Sequence, residues 1–528
     1  MAQQSPDRMS AKKKKRKADF KPLARETSAA PSVEKATAEP EAPLALRLMV
    51  GATAGISLLR IYASSRVGFG DSEALYASYA VHPQPAYLDH PGLIGQVASA
   101  IGGGTAPKPS AAHVFTTILA ALVPWLIVGV ARLAGAKRFD AMIAGFAVAV
   151  VPEIAVGLFA MTPDLLLAPL WLGAVGLSIA GLERKNAVHL IAAGLCAGIA
   201  SSAKVSGLLL FAALGWAIAR SEARRTFWPW AGLGAGAIAF APIAIFEARA
   251  GWPMLRHRLV DTQTGAGVAL GNVGALLGGQ LVYLSPVIAF AVVVLARDLY
   301  RRRGEDTASR VLWASFAIPL LPLLAFCLWS PVAEPHWIAP ALLALPIHAA
   351  RRAVLSARLV KVALGVATAF TAVTYAWVLI PESAKLVPAS VDPKVDIANE
   401  LFGWPAVLEA IKEQRQLAAT PSDPDGKDVV IVGPHWTICA QLQAALPDAK
   451  VGCATPVPDD FDTWLPREKW RAADTVLFVT DARFPGDGAA ELPLLSRYSQ
   501  SKVRTMRGGR SARVFELYLY ARRGQAAL

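Results

Sequence analysis

Apolar segments of roughly 20 residues recur along the chain between residues 44 and 380, and short polar turns separate them. An α-helix of this length crosses the hydrocarbon core of a bilayer, so each segment is a candidate membrane span. The pattern predicts eleven spans, at residues 44–64, 111–134, 139–160, 164–182, 187–203, 205–219, 228–247, 271–296, 309–330, 336–350 and 357–380. A polar stretch at residues 66–110 interrupts the series after the first span.

The regions on either side of the spans predict two further parts of the chain. Residues 1–43 are rich in Ala, Pro, Lys and Glu and lack apolar periodicity, which predicts a disordered basic tail. Four short apolar runs predict strands at residues 428–433, 450–455, 475–480 and 513–520, with a helix at 438–445. We therefore expect a mostly α protein, with a polytopic helical bundle over residues 44–383 and a small α/β domain over residues 384–528.

Positive charges are unevenly distributed between the spans. One side holds the larger set, namely Lys137, Arg138, Arg184, Lys185, Arg220, Arg224, Arg225, Arg297, Arg301, Arg302, Arg303, Arg351, Arg352, Arg358 and Lys361. Loops rich in Lys and Arg stay in the cytoplasm, which predicts a cytoplasmic N-terminus and a periplasmic C-terminal domain in an inner-membrane protein. This bias and the basic tail account for much of the net charge of +14, so no nucleic-acid partner is expected.

The composition narrows the function classes. Charged residues make up only 17% of the chain, against about 25% in soluble proteins. The C-terminal domain has no Gly-rich phosphate loop and no nucleophile elbow, so we expect it to affect acceptor choice or stability rather than chemistry. The four cysteines lack metal-ligand spacing, and the sequence leaves open whether Cys439 and Cys453 form a disulfide.

The stretch from Gly68 to Gln96 concentrates acidic and aromatic side chains. Its candidate functional residues are Asp71, Glu73, Tyr76, Tyr87, Asp89 and His90. Carboxylates in this position can take a proton from a hydroxyl, and tyrosines can stack on a sugar ring or hydrogen-bond to it. The alternative interpretations are a solvated loop charge at Asp71 and an aromatic belt formed by the tyrosines.

The predicted outer ends of later spans carry more polar residues, namely Asp164, Lys204, Arg256, Arg258, Glu334, His336 and Trp337. Each has a structural alternative. Asp164 could cap a helix, Lys204 could extend to the interface, and the two arginines could bind lipid headgroups. The charge rule independently assigns all of them to one face, which favours a shared outward cavity.

Six sequence pieces carry a resemblance to a known family. They are DSEALY (71–76), YLDHPGL (87–93), TPDLLL (162–167), GLCAGIASSAKVSGLLL (194–210), EPHWIAP (334–340) and DPKVDIANELFGW (392–404). In this order the chain resembles the GT-C glycosyltransferases of the protein O-mannosyltransferase superfamily, especially bacterial glycosyltransferase family 39 and the aminoarabinose lipid A transferases. The chain departs from the family where Ser72 separates Asp71 from Glu73, and where His90 and Gly92 replace a basic residue and a proline.

The resemblance implies a reaction and roles for the candidate residues. A sugar on a polyprenyl-phosphate donor would pass, with inversion, to a lipid or protein acceptor on the outer face of the membrane. Asp71 would be the general base, and Asp164 would orient the base or the sugar hydroxyls. The leaving phosphate would be stabilised by His90, Lys204, Arg256 and Arg258. Substrate contacts are expected from Glu73, Tyr76, Tyr87, Asp89, Glu334, His336 and Trp337.

Two questions remain open on the sequence. No cofactor or metal site is assigned, although the chemistry is compatible with a divalent cation. The alternative function is a multi-span transporter or flippase of an envelope lipid or sugar. Polar groups along the bilayer midplane would favour transport, whereas a cluster at one mouth favours the transferase.

Overall fold

Helices form at the predicted apolar segments in the computed structural model, which describes residues 42–522. The predicted tail lies outside the described residues except for Ala42 and Pro43, which begin the first helix. The helices up to residue 379 are α1 (Ala42–Ser64), α2 (Asp71–Ser78), α3 (Leu93–Gly102), α4 (Pro109–Leu133), α5 (Arg138–Val150), α6 (Pro152–Ala155), α7 (Pro163–Arg184), α8 (Ala187–Ala203), α9 (Leu208–Ala219), α10 (Phe227–Ala250), α11 (Pro253–Arg256), α12 (Leu270–Tyr283), α13 (Pro286–Arg302), α14 (Thr307–Trp329), α15 (Ala339–Leu342), α16 (Ala344–Arg352) and α17 (Ala357–Leu379).

The number of membrane spans differs from the prediction. Among residues 42–522, six helices are long and apolar enough to cross a membrane, namely α1, α4, α7, α10, α14 and α17. Two bent helix pairs raise the number to eight if each pair is one span. The chain is therefore a multi-pass membrane protein, as predicted, but the count of eleven spans is not confirmed.

Proline explains where the two pairs bend. α5 and the segment Pro152–Phe159 meet at 63°, and α12 and α13 meet at 104°. Pro152 and Pro286 each open the second helix, where a proline cannot donate the N–H that would continue the first. The segment predicted as one span at residues 271–296 is consequently two helices.

Glycines bring α8 and α10 into close backbone contact. A methyl group added at Gly194 would lie 1.7 Å from the carbonyl oxygen of Gly232, and one at Gly198 would lie 2.2 Å from that of Gly236. Small residues commonly allow such close approach between helices in membranes. The contact holds α8 in place, and α8 ends next to Lys204.

The C-terminal domain is a five-stranded sheet with helices. Its elements are α18 (Trp404–Leu417), β1 (Val430–Gly433), α19 (Trp436–Ala445), β2 (Val451–Cys453), α20 (Asp460–Trp464), α21 (Arg467–Arg471), β3 (Thr475–Asp481), β4 (Ser496–Arg507) and β5 (Arg510–Ala521). The strand order is β2-β1-β3-β5-β4, with β1 parallel to both β2 and β3, and β5 antiparallel to both β3 and β4. The four predicted strands and the helix α19 are confirmed. The sequence missed β4 because this edge strand is mostly polar.

The two cysteines whose pairing the sequence left open form a disulfide. Cys439 of α19 is bonded to Cys453 of β2, with the two Cα atoms 6.0 Å apart. The bond ties α19 to the sheet, whereas Cys196 and Cys327 are free thiols.

The C-terminal domain packs directly on the polar stretch that follows α1. Asp460 accepts a hydrogen bond from the backbone N–H of Leu88 at 3.0 Å and one from the Tyr79 hydroxyl at 3.3 Å. A continuous apolar core joins the two regions and includes Leu75 of α2 and Ile438 of α19. The first predicted loop is therefore a folded layer between the membrane helices and the domain.

Candidate active site

Asp164 and Lys204 form an ion pair where α7 begins and α8 ends. Lys204 Nζ lies 2.9 Å from Oδ1 and 2.7 Å from Oδ2 of Asp164. Pro163 opens α7 and places Asp164 in the first turn, where the helix dipole favours a negative charge. The N-cap of α7 is Thr162, so Asp164 is not the capping residue of the alternative interpretation.

The segment after α14 adds two predicted residues to this ion pair. His336 Nε2 lies 3.6 Å from Oδ2 of Asp164. His336 Nδ1 lies 3.1 Å from Oε2 of Glu334, whose side chain is 60% exposed. The imidazole thus bridges a largely buried carboxylate and an exposed one.

Trp337 lies close to both Lys204 of this ion pair and a second cationic side chain, Arg258. Its ring centroid lies 5.9 Å from Lys204 Nζ and 5.5 Å from Arg258 Cζ, within the range of cation–π attraction. Arg258 in turn donates from Nη2 to Oδ1 of Asp89 at 3.0 Å and from Nε to the Asp89 carbonyl at 3.1 Å. The structure thus brings residues from the first loop, α8 and two later segments to one place.

His90 is buried beside Arg258 and is held neutral. Burial, followed by the positive charges of Arg258 and Lys204, lowers the pKa of His90 well below its usual value. Arg258 Nη2 lies 3.3 Å from His90 Nε2, and a guanidinium can only donate, so the imidazole hydrogen is assigned to Nδ1. Among the described residues this Nδ1–H has no hydrogen-bond partner. The Tyr76 ring lies 5.5 Å from the His90 ring and closes the same corner.

Arg256 does not share the position of Arg258, although both were expected to stabilise the leaving phosphate. Arg256 ends α11, and Arg258 belongs to the adjoining π-helix, His257–Asp261. In a helix, side chains that are two positions apart in the sequence point in different directions. The Arg256 side chain is 74% exposed and lies 3.4 Å from Asp261, whereas that of Arg258 is 20% exposed.

Tyr87, an expected substrate contact, makes several contacts within the loop. Its hydroxyl accepts from the backbone N–H of Gln84 at 3.0 Å and lies 3.0 and 2.9 Å from the carbonyl oxygens of Tyr79 and His82. The ring stacks on Tyr79 with the centroids 3.6 Å apart. The side chain is buried, so it stabilises the loop.

Glu73, another expected substrate contact, also makes contacts within the protein. Its carboxylate accepts from the backbone N–H of Met161 at 2.7 Å and of Gly70 at 3.0 Å, and it pairs with His113 at 3.0 Å. These contacts tie α2 to α4 and to the loop before α7. The interpretation of Glu73 as a substrate-binding residue is not supported by these contacts.

Asp71, the expected base, begins α2 and is contacted from the C-terminal domain. Arg483 Nη1 lies 2.7 Å from its Oδ2, and Gln441 donates to its Oδ1 at 3.2 Å. Glu400 also contacts Arg483, at 3.3 Å. Burial, followed by the negative charge of Asp71, raises the pKa of Glu400.

Sequence reasoning missed Arg483 and Gln441. A signal for Arg483 was present, because it closely follows β3, at the carboxyl end of a strand that is parallel to its neighbour β1. Ligand-binding groups gather at that edge of α/β sheets. Gln441 offered no comparable signal, since it is one polar residue in an otherwise ordinary helix.

The described residues offer no set of ligands for a divalent cation. Within residues 42–522, no group of three or more His, Cys, Asp or Glu side chains is arranged to hold a metal ion.

The comparisons with known proteins agree with the sequence-based recognition. Residues 104–246 match the family model of dolichyl-phosphate-mannose-protein mannosyltransferases. No curated protein sequence matches the chain. The crystal structure of ArnT from Cupriavidus metallidurans, bound to undecaprenyl phosphate, is similar over 91% of this chain and 99% of that chain, with 15% identity and a TM-score of 0.55.

More distant likenesses extend to two other membrane enzymes. The oligosaccharyltransferase of Archaeoglobus fulgidus covers 85% of this chain and 71% of its own, with 15% identity and a TM-score of 0.48. The Pmt1–Pmt2 complex of S. cerevisiae, bound to its sugar donor, covers 41% of this chain and 33% of its own, with 17% identity and a TM-score of 0.31. The ArnT-like fold, with a membrane helical region and a small C-terminal sheet domain, and the match over residues 104–246 agree with the resemblance to GT-C glycosyltransferases.

Proposed function

We propose that this protein with the GT-C fold is a membrane glycosyltransferase that takes a sugar from a polyprenyl phosphate and transfers it to a lipid or protein acceptor. One observation carries the proposal: Asp164, Lys204, Arg258, His90 and Trp337 converge at one end of the bundle. The match to a family of lipid-phosphate-sugar transferases and the likeness to a structure that holds undecaprenyl phosphate support the donor class.

The cationic group suits a lipid-linked phosphate. Arg258 and Lys204 provide charge-assisted donors, and the unpaired Nδ1–H of His90 is one more donor beside them. A phosphate is already a good leaving group, so it needs charge stabilisation rather than an acid. A neutral histidine where the family usually has a basic residue is thus compatible with phosphate binding.

One helix carries both the proposed base and a side chain that contacts the proposed phosphate-binding residues. Asp71 is the first residue of α2, and Tyr76, which contacts the His90 ring, is on the same helix. Five residues of α-helix span about 7.5 Å along the axis. In the proposal the sugar ring lies between these groups, with its phosphate near His90 and the acceptor hydroxyl near Asp71. Proton removal by Asp71 would then accompany attack on the anomeric carbon.

The orientation in the membrane follows from charge and redox chemistry. The Lys and Arg bias favours a cytoplasmic N-terminus, and the bond between Cys439 and Cys453 favours an oxidising compartment for the C-terminal domain. We therefore place the transfer site at the periplasmic face of the inner membrane. The acceptor is a lipid or protein of the cell envelope, and the sugar is a hexose or pentose.

Transfer by the purified protein tests the proposal. The chain in detergent or nanodiscs would be incubated with an acceptor mixture from envelope lipids and with either polyprenyl-phosphate sugars or nucleotide sugars. We expect glycosylated product by mass spectrometry only with the lipid-linked donors. Movement of donor across vesicles without any product would favour the flippase alternative and overturn the proposal.

A further inference from the structure

Arg483 of the C-terminal domain reaches the membrane part of the site. This residue follows β3, and its guanidinium is only 16% exposed. Nη1 lies 2.7 Å from Asp71 Oδ2 and 3.3 Å from Glu400 Oε1. The contact joins residues 412 positions apart in the sequence.

Asp481, the last residue of β3, fixes the Arg483 side chain. Asp481 Oδ2 lies 2.9 Å from Arg483 Nε, and Asp481 Oδ1 accepts from the Arg483 backbone N–H at 2.9 Å. Asp481 is itself buried and is contacted by Arg513 Nε at 3.2 Å. The planar guanidinium, fixed at Nε, therefore presents Nη1 to Asp71 in one direction.

Gln441 holds the other oxygen of the same carboxylate. Its amide donates 3.2 Å to Asp71 Oδ1 and 2.9 Å to the Phe69 carbonyl. Gln441 lies on α19, which Cys439 ties to the sheet. Both oxygens of Asp71 are thus contacted by the C-terminal domain, which restricts the rotation of the carboxylate.

A simple attachment role explains this arrangement less well. The domain is already attached by a shared apolar core and by the contacts of Asp460 with Tyr79 and Leu88. Arg483 also pairs with Asp481, a carboxylate that it shares with Arg513.

We propose that Arg483 is a positioning residue for sugar transfer, which orients the Asp71 carboxylate so that the C-terminal domain completes the active site. This inference rests on the proposed function, because it assigns the base to Asp71. Orientation of a reacting group matters strongly, and a displacement of about 1 Å can lower a rate by about 100-fold. The contact was not anticipated from the sequence, where the domain was expected to stand apart from the chemistry.

The test compares kinetics of Arg483→Gln, Arg483→Lys, Asp71→Asn and the double variant Asp71→Asn with Arg483→Gln. Arg497→Gln is the matched control, since Arg497 pairs with Asp487 on the exposed side of the same domain. We expect Arg483→Gln to lower kcat by about 10- to 100-fold with the donor KM within about twofold of the native value. Arg483→Lys should restore part of kcat, because lysine keeps the positive charge but lacks the planar guanidinium with its paired N–H donors.

The double variant separates the inference from the proposed function. If Arg483 acts through Asp71, then Arg483→Gln should cause no further loss in the Asp71→Asn protein. A native kcat in Arg483→Gln, or an independent loss in the double variant, would overturn the positioning role. A native kcat in Asp71→Asn would instead refute Asp71 as the base. Should Arg483→Gln fail to fold, Arg483→Lys and Gln441→Met carry the same comparison, with folding checked by gel filtration and thermal unfolding.

Discussion

The guanidinium of Arg258 donates to Nε2 of His90 over 3.3 Å, and the His90 N–H on the other side of the ring has no partner within residues 42–522. The pair consists of the largely buried Arg258 cation and the neutral His90, whose N–H is a hydrogen-bond donor. It lies beside Trp337 and Lys204, at the polar end of the bundle where the proposal places the lipid-linked phosphate.

Arg258 and Arg256 should differ in their effect on donor use. Arg258→Gln should raise the donor KM by about 10-fold or more, in line with the loss of a charge-assisted hydrogen bond. Arg256→Gln is the control, because this side chain is 74% exposed and points elsewhere. Initial rates at varied donor concentration measure both. Equal effects of the two substitutions would argue against the assignment of Arg258 to the phosphate.

Asp71→Asn should abolish most of the transfer. The substitution keeps the shape of the side chain and removes the proton acceptor, so kcat should fall by about 100-fold or more. Donor binding and the amount of folded protein should be nearly unchanged. Asp474→Asn is a suitable control, because Asp474 is an exposed carboxylate paired with Arg522. Near-native turnover in Asp71→Asn would show that another group is the base.

Removal of one partner of the Lys204–Asp164 pair should be costly to the fold. Lys204→Met would leave a poorly exposed carboxylate without its cation, and such changes cost about 3–5 kcal/mol. Asp164→Asn combined with Lys204→Met should cost less than the sum of the single changes. Thermal unfolding of the three purified variants measures this coupling. Additive costs would mean that the two groups do not stabilise each other.

The buried carboxyl of Asp460 should make stability depend on pH. Burial, followed by the nearby charge of Asp89, raises the pKa of Asp460 to about 8. Between the unfolded value of about 4 and this value, the folded state binds more protons than the unfolded state, so stability falls as pH rises. Asp460→Asn should make the decrease in unfolding temperature between pH 5 and pH 8 shallower. An unchanged slope would show that Asp460 is ionised in the folded protein across this range.

The membrane orientation has a direct test. Reporter fusions after Arg303 should be active in the cytoplasm, and fusions after Gly426 should be active in the periplasm, because the Lys and Arg bias orients the chain that way. A fusion after Lys185, which lies on the same predicted side as Arg303, is the control. If the reporters at Arg303 and Gly426 lie on the same side, the predicted orientation is wrong.

Local sequence patterns determined the elements of this fold. Hydropathy located the membrane helices, and short apolar runs located the four strands that face the core, because both signals depend on neighbouring residues. The same signals missed β4, whose polar residues suit an exposed edge. They also could not separate a continuous span from the two helices that meet at Pro286, since composition does not report a bend of 104°.

The sequence by itself also identified the candidate site residues, since acidic, basic and aromatic side chains stand out against apolar helices. Only the tertiary structure decided their partners. It directed Glu73 and Tyr87 into structural contacts, separated Arg256 from Arg258, and brought Arg483 to Asp71 across 412 positions. Such pairings depend on how helices and domains pack against one another, and packing between distant segments leaves no periodic signal in the chain.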